Sequence, residues 1–352
     1  MTTSRLPAPA GTHIDRARPI DIRFDGQDYS GFAGDTIASA LAANGVKVLS
    51  RSFKYHRPRG ILSAAGHDAN GLVQIGAEPS VPAERRRITP GLEVVPQNVF
   101  GSLARDYAHV IDGLGRFLPV GFYYKTFFRP KGSWQHWEKL IRALAGLGKV
   151  DLAAHHGYYD KQYLFADVAV VGGGAAGLAA ALEAAEAGSE VVLIEENPRL
   201  GGALGYARFD VAGTDGAGRR DELAAKVTGH GNITVLTDAT CNGWFADHYL
   251  PIVKGNRLYK LRAKAVVVAT GSYEQPLVFR NNDLPGVLYA SAVQRLVRHY
   301  GVRPGRRAVV ATANADGYGA ALDLLDAGVE IACVADLRRE RSDGPLADAV
   351  AD

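Results

Sequence analysis

Residues 168–196 read VAVVGGGAAGLAAALEAAEAGSEVVLIEE, and the order of residue types in this stretch decides the fold. Val168–Val171 is a run of β-branched and small apolar side chains, the pattern of a strand buried on both faces. Gly172-Gly173-Gly174-Ala175-Ala176-Gly177 follows with glycines at Gly-x-Gly-x-x-Gly spacing. Leu178–Ala187 is dominated by alanine, the best helix former, and stops at Gly188. Glu190–Ile194 is a second apolar strand, closing on Glu195-Glu196. Strand, helix and strand together fill about 30 residues, the size of a right-handed crossover.

A lone Gly-x-Gly-x-x-Gly is weak, but here it leaves a strand and opens a helix. The first glycine permits the tight turn, the second lets backbone approach a pyrophosphate, and the third lets the helix sit close to the sheet. The pyrophosphate then rests on the helix N-terminus, where unpaired N–H groups and the dipole favour an anion. Glu195, 23 residues after Gly172, stands where a carboxylate accepts bonds from the adenosine ribose. An acid there disfavours a 2′-phosphate, so the expected cofactor is NAD, with FAD as the alternative, rather than NADP. Glu196, Arg199, Gly201 and Gly202 lie beside the nucleotide in the following loop, and Thr270-Gly271, at the end of the apolar strand Ala265–Ala269, completes the candidate set. A glycine-rich turn that serves packing alone is the competing reading.

Outward from this core, Arg307–Thr312, Gly317–Ala327 and Glu330–Val334 form a second strand–helix–strand within 305–336. Its turn lacks the three-glycine spacing, although Asp336 closes it as Glu195 closes the first. It reads as a degenerate nucleotide fold with no second cofactor assigned. Residues 166–352 are thus expected to be a Rossmann-type FAD/NAD(P)-binding region with a parallel sheet, in an α/β fold. Toward the N-terminus, Ile20–Phe24 and Asp28–Phe32 flank the turn dipeptide Asp25-Gly26. Gly34-Asp35-Thr36 starts a short apolar helix ending at Asn44-Gly45. Hairpin then helix opens a small ubiquitin-like α+β domain over 19–97, preceded by a flexible leader at 1–18. Residues 98–165 are aromatic and basic, read as a packed connector with an amphipathic helix over Trp137–Leu147.

Composition bounds the rest. A chain of 352 residues with 47% hydrophobic side chains has room for about two domains with proper cores. The uncharged stretch Val168–Leu182 is shorter than the roughly 20 residues of a membrane span and is broken by three glycines. No apolar signal region opens the chain, so cytoplasm is the default. Cys241 and Cys333 are the only cysteines, too few for a disulfide framework or a four-thiolate cage. Residues 1–150 carry 20 Lys+Arg against 12 Asp+Glu, whereas 151–352 carry 20 against 25. Arg51, Lys54, His56, Arg57 and Arg59 concentrate that positive charge. They repel one another unless an anion or an acidic surface meets them. Nucleic acid is the runner-up partner for this run, but one short stretch with core-like aromatics beside it argues against it. His56 suits a phosphate or carboxylate contact better than a metal, and His155-His156 lacks acidic or thiol partners.

These residues resemble those of a known family. RSFKYHRPRG at 51–60, Gln97-Asn98, GFYYKTF at 121–127, the glycine loop and ATGSYEQP at 269–276 are similar to the N-terminal part of the alpha subunit of heterotetrameric sarcosine oxidase. Hydrogen cyanide synthase, opine oxidase and amino-acid dehydrogenase subunits are related. The resemblance implies a ferredoxin-like (β-grasp) first domain. Its loop Ser63–Asn70 has no cysteine, which implies no iron–sulfur cluster, as in family members that kept the fold and lost the metal. The sequence departs from the family at His67–Gly71, where a Glu-Pro-Asn-like stretch is expected. The resemblance further implies a multi-subunit flavoenzyme that demethylates sarcosine to glycine and forms hydrogen peroxide. The amine is oxidised at FAD in a beta-type flavoprotein subunit, and electrons pass to FMN shared near the alpha–beta contact. Smaller subunits are expected too, with neither nucleic acid nor membrane as partner. On this reading the chain is a truncated or split alpha-type subunit, inactive alone. The alternatives are a non-catalytic scaffold and a subunit of an FAD-dependent amine or opine dehydrogenase.

Overall fold

The structure, a computed structural model, describes residues 4–117, 121, 127, 129–145, 148–155, 157–339 and 344–351. It divides into two compact units. One comprises Met1–Ala154 with Glu274–Ala311 and Asp323–Ala335, the other His155–Tyr273 with Thr312–Leu322 and Asp336–Asp352.

In the first unit, β1 (Asp15–Phe24) and β2 (Gln27–Ala33) form a hairpin. Its turn residues Asp25 and Gly26 both have positive φ, as a tight turn matching strand twist requires. Helix α1 (Ile37–Ala43) begins with a capping box: Thr36 Oγ1 accepts the Ser39 N–H, and Ser39 Oγ accepts the Thr36 N–H. After the short pair β3 (Ser50–Arg51) and β4 (Pro58–Arg59) come β5 (Leu72–Ile75), β6 (Glu78–Pro82) and β7 (Leu92–Pro96). The sheet order is β2-β1-β7-β5-β6, with β1 and β7 parallel and the other neighbours antiparallel. Ile22, Phe24, Ile37, Leu41, Leu49, Val73, Val81 and Val94 form its core. Each such side chain contributes about 1.5–3 kcal/mol by leaving water.

The flexible leader is corrected. Arg5 forms an ion pair with buried Asp35 (2.8 Å), and the Ser4 and Leu6 N–H groups donate to the Ala43 and Gly301 carbonyls. Gly34 lacks the Cβ that would overlap the His13 carbonyl oxygen, so the segment lies directly against the helix start. The expected connector is packed at its start, where Leu103 is buried in the core of the first unit, and exposed beyond it. Tyr107, Val110 and Phe117 are exposed, and Trp134 and Trp137 partly so, around the short helix α2 (Val110–Gly113) and helix α3 (Trp134–Ala145). Residues 122–126, 128, 156 and the end of the expected helix at 146–147 lie outside the described residues.

The second unit holds a six-stranded sheet: β8 (Asp160–Val171), β9 (Val191–Ile194), β10 (Ile233–Leu236), β11 (Thr240–Cys241), β12 (Tyr249–Lys254) and β13 (Arg257–Val268). β8 starts eight residues before Val168, within the expected connector, because β13 pairs with it along its full length from Asp160↔Arg257 to Val171↔Val268. Helices α4 (Ala175–Glu186) and α5 (Asp215–Gly229) make the crossovers β8–α4–β9–α5–β10. The order β10-β9-β8-β13-β12-β11 is parallel from β10 to β13 and antiparallel beyond. The chain steps outward from β8 on one side and returns on the other as β13. The sheet therefore has a switch point between the carboxyl ends of β8 and β13, where open α/β sheets bind ligands.

The later segments do not continue 166–273 as one contiguous region. Helix α6 (Ala290–Arg298) buries Ala292 and Leu296 against Ala43, Ala64 and Val302, all in the first unit. β14 (Arg307–Thr312), α7 (Asp316–Asp326) and β15 (Glu330–Asp336) are present, with β14 and β15 paired. Among the described residues no helix is long and apolar enough to cross a membrane.

Candidate dinucleotide site

The glycine loop sits at the carboxyl end of β8. Gly172 has φ +107°, and its N–H donates to the Ile194 carbonyl (2.8 Å). A Cβ there would overlap the Ala269 carbonyl oxygen, so β13 and its extension Thr270 can run close beside the loop. Gly177 faces back onto the turn, and a Cβ on it would overlap the Gly172 carbonyl oxygen. Gly174 is the reverse case. It caps α4 with extended backbone, and a Cβ there would meet nothing within 4 Å. Two glycines thus serve internal packing, and the middle one keeps a space clear in front of the helix. The first N–H groups of α4 have no acceptor within the helix and belong to Ala175, Ala176 and Gly177. This cradle fits a pyrophosphate.

Glu195 is 5% exposed and spends its oxygens on the loop. Oε2 accepts the Gly173 N–H (2.7 Å), while Oε1 accepts the N–H and the side-chain amide of Asn197 (2.7 Å each). A carboxylate has about four acceptor positions, so one is left for a ribose hydroxyl. The second loop closes on the first, for the Gly201 N–H donates to the Gly173 carbonyl (2.7 Å) and Gly174 bridges to Gly201. Gly201 (φ +113°) lies under the aliphatic stem of Arg220, and Leu200 covers Gly173. The structure therefore gathers Gly172–Gly177, Glu195, Gly201, Gly202 and the start of Thr270-Gly271. Arg199 is exposed, Glu196 is half-buried, and Gly271 points into open space. Sequence reasoning missed Asn197 and Arg220, and nothing in the spacing signalled either.

The second strand–helix–strand shares one device with the first, since Gly317 allows α7 to approach Thr312. Asp336, however, is occupied. It accepts the Tyr318 hydroxyl (2.9 Å) and three Arg338 bonds, two from the guanidinium (2.9 and 2.6 Å) and one from the backbone N–H (3.0 Å), and Arg338 holds its carboxyl far below the usual carboxylate range.

Within the basic run, Arg57 and Arg59 meet acidic residues of the same unit. Arg57 pairs with Asp283 (2.8 Å) and Asp112 (3.4 Å), and Arg59 pairs with Asp283 (2.5 Å). Arg51 donates to the His56 and Leu103 carbonyls, and buried His56 meets Asp106 (2.8 Å), a carboxylate contact as expected. No group of three or more metal-ligating side chains occurs among the described residues.

Comparison with known proteins agrees with this geometry. Residues 17–99 match the family described as 2Fe-2S iron-sulfur cluster binding domain, and residues 166–305 match Pyridine nucleotide-disulphide oxidoreductase. The architecture is that of proteins that join a ferredoxin-like β-grasp domain to a Rossmann-type domain of the pyridine nucleotide-disulphide oxidoreductase kind. L-proline dehydrogenase from P. horikoshii shares the fold, with a TM-score of 0.67 at 22% identity, over 96% of this chain and 57% of that one. Within that architecture, the chain is similar to the N-terminal third of sarcosine oxidase alpha subunits. It is 39% identical to that of Rhizobium meliloti (strain 1021) over 96% of its own length and 36% of the relative's, and 33% identical to that of Corynebacterium sp. (strain U-96) over 92% and 31%. An opine oxidase chain of Agrobacterium tumefaciens (strain Ach5) is 30% identical over 47% of this chain and 35% of that protein. The chain thus spans about a third of the length of these relatives.

Proposed function

We propose that the chain is the dinucleotide-binding, alpha-type subunit of a multi-subunit, sarcosine oxidase-like flavoenzyme, with the amine oxidised in a partner subunit. The observation that carries this is the cradle itself: a helix N-terminus kept clear by Gly174, beside a buried acid at the ribose position. A bound NAD or FAD supplies two-electron chemistry. The chain's own residues bind and orient it, with Gly172–Gly177 receiving the pyrophosphate and Glu195 the ribose. The preference for NAD over NADP follows from Glu195, whose charge opposes a 2′-phosphate. Demethylation of sarcosine to glycine with release of hydrogen peroxide is the reaction of the assembly on this reading, and the isolated chain is inactive in it. FMN shared at a subunit contact has no support from the basic run, whose Arg57 and Arg59 already meet Asp283. The β-grasp domain lacks the donor set for a cluster, because residues 17–99 contain no cysteine.

Isothermal titration of the purified chain with NAD, FAD and NADP tests the reading. Saturable NAD binding, abolished in Gly174→Val, is the expected result. A preparation that purifies yellow with bound FAD moves the assignment to a flavoprotein subunit. No binding of any dinucleotide leaves a scaffold.

A further inference from the structure

Four residues of the β-grasp domain converge in a way that the proposed function does not use. Ser63 and Asp68 are separated by four residues, and Asp68 and Gly71 by two. That is the Cys-x4-Cys-x2-Cys spacing of plant-type [2Fe–2S] ligands, whose fourth cysteine comes farther along the chain. The structure makes the correspondence spatial and supplies the fourth member. Ser63 Oγ lies 2.7 Å from Asp68 Oδ2 and 2.7 Å from Glu84 Oε2, and a Cβ on Gly71 would stand 3.9 Å from Glu84 Cγ. A hydroxyl, two carboxyls and a glycine do not form the thiolate set a cluster needs.

The loop instead folds onto Glu84. Its Oε1 accepts the Leu62 N–H (2.9 Å), and its Oε2 accepts those of Ala65 (3.2 Å) and Gly66 (3.0 Å). Asp68 Oδ1 accepts the Asn70 N–H (2.8 Å). Both Ser63 and Glu84 are buried. Ser63 ties the loop to both carboxyls. Its oxygen receives the Ala65 and His67 N–H groups at 3.3 Å each, and its one hydroxyl proton serves only one of two carboxyls at 2.7 Å. Burial, with the nearby Asp68 charge adding to it, raises the Glu84 pKa.

We propose that Ser63, Asp68, Gly71 and Glu84 occupy the four ligand positions of an iron–sulfur site, rebuilt here as a carboxyl–hydroxyl–carboxyl plug that closes loop 62–71 without metal. The proposal rests on the reading that this domain holds no cluster, and its test keeps the two apart. The full chain and the variant Ser63→Cys/Asp68→Cys/Gly71→Cys/Glu84→Cys are incubated anaerobically with ferrous iron and sulfide, then desalted. The expected result is no retained iron in the unmodified chain. The quadruple variant should hold about two irons and two sulfides, and give the paramagnetic signal of a reduced [2Fe–2S] centre after dithionite. Stoichiometric iron in the unmodified chain overturns the cluster-free reading. A folded quadruple variant that takes up no cluster overturns the assignment of the positions. The plug is tested separately by amide hydrogen exchange in Glu84→Gln, whose amide group turns a donor toward one set of the loop's N–H groups. Exchange at Leu62, or at Ala65 and Gly66, should speed up about tenfold or more relative to Ile22 and Phe24 in β1. Unchanged protection at all three loop amides overturns the plug even if the quadruple variant does not fold.

Discussion

A single methyl group has opposite consequences at two glycines of one loop. At Gly177 it overlaps the Gly172 carbonyl and forces α4 away from the sheet, so Gly177→Ala should lower stability by about 2–3 kcal/mol in denaturant unfolding. At Gly174 it enters open space, so Gly174→Val should melt like the unmodified chain while losing nucleotide binding by at least about a hundredfold in titration. Equal behaviour of the two variants in both assays would contradict the division of roles. These roles were legible because the glycine spacing encodes backbone geometry directly. The position of Glu195 was legible too, but its local bonds were not, since nothing in the pattern announces that Asn197 turns back onto it. On the proposed reading Glu195 acts twice. Glu195→Ala should weaken NAD and narrow its advantage over NADP. It should also cost about 1–3 kcal/mol, because the buried Gly173 N–H loses its acceptor. A variant with altered affinity and unchanged stability would leave only the ribose role.

The elements show where sequence reading succeeds and where it stops. The strand–helix–strand core was readable because periodicity, glycine stops and closing acids agree. The hairpin β1–β2 was readable from Asp25-Gly26. The extension of β8 to Asp160 was not, because Tyr163 and Phe165 gain their strand conformation from pairing with β13 and look like connector aromatics in isolation. The N-terminal segment misled for a similar reason. Proline, alanine and threonine suggest a free leader, yet one arginine ties it down. Arg5→Ala should cost about 3 kcal/mol, because Asp35 is left buried without its cation, and chemical denaturation of the variant checks this. For the basic run, Arg57→Ala/Arg59→Ala should lower the melting temperature of the isolated chain, which an intersubunit role alone would not do. The pH dependence has a definite sign. Burial alone would raise the Asp283 pKa, but Arg57 and Arg59 hold it below its ordinary 3.8. An acid depressed on folding contributes stability that is full above its unfolded value and is lost as pH falls through the folded one. The acid limb of the stability curve should therefore be steeper in the unmodified chain than in the double variant.

At the scale of the whole molecule, the relatives are named as subunits and the chain spans about a third of their length, so its surface is the place to look for partners. Scattered exposed apolar residues are ordinary in any protein. Here several are large and close in sequence: Leu152 is 96% exposed, and Tyr158, Tyr159, Tyr163 and Phe165 follow within one short stretch of the second unit and its approach. A free chain that keeps these side chains in water is prone to self-association, and a partner subunit that covers them relieves it. Co-expression with a beta-type flavoprotein subunit should therefore yield one complex on size-exclusion chromatography, containing both chains. In that complex Tyr163→Glu/Phe165→Glu should weaken assembly by about tenfold or more while leaving NAD binding to the isolated chain unchanged, because both residues lie in the first half of β8, before the strand's carboxyl end that carries the glycine loop. A chain that elutes alone beside its candidate partner, at micromolar concentrations and with NAD bound, would count against the subunit reading and leave the dinucleotide site standing by itself.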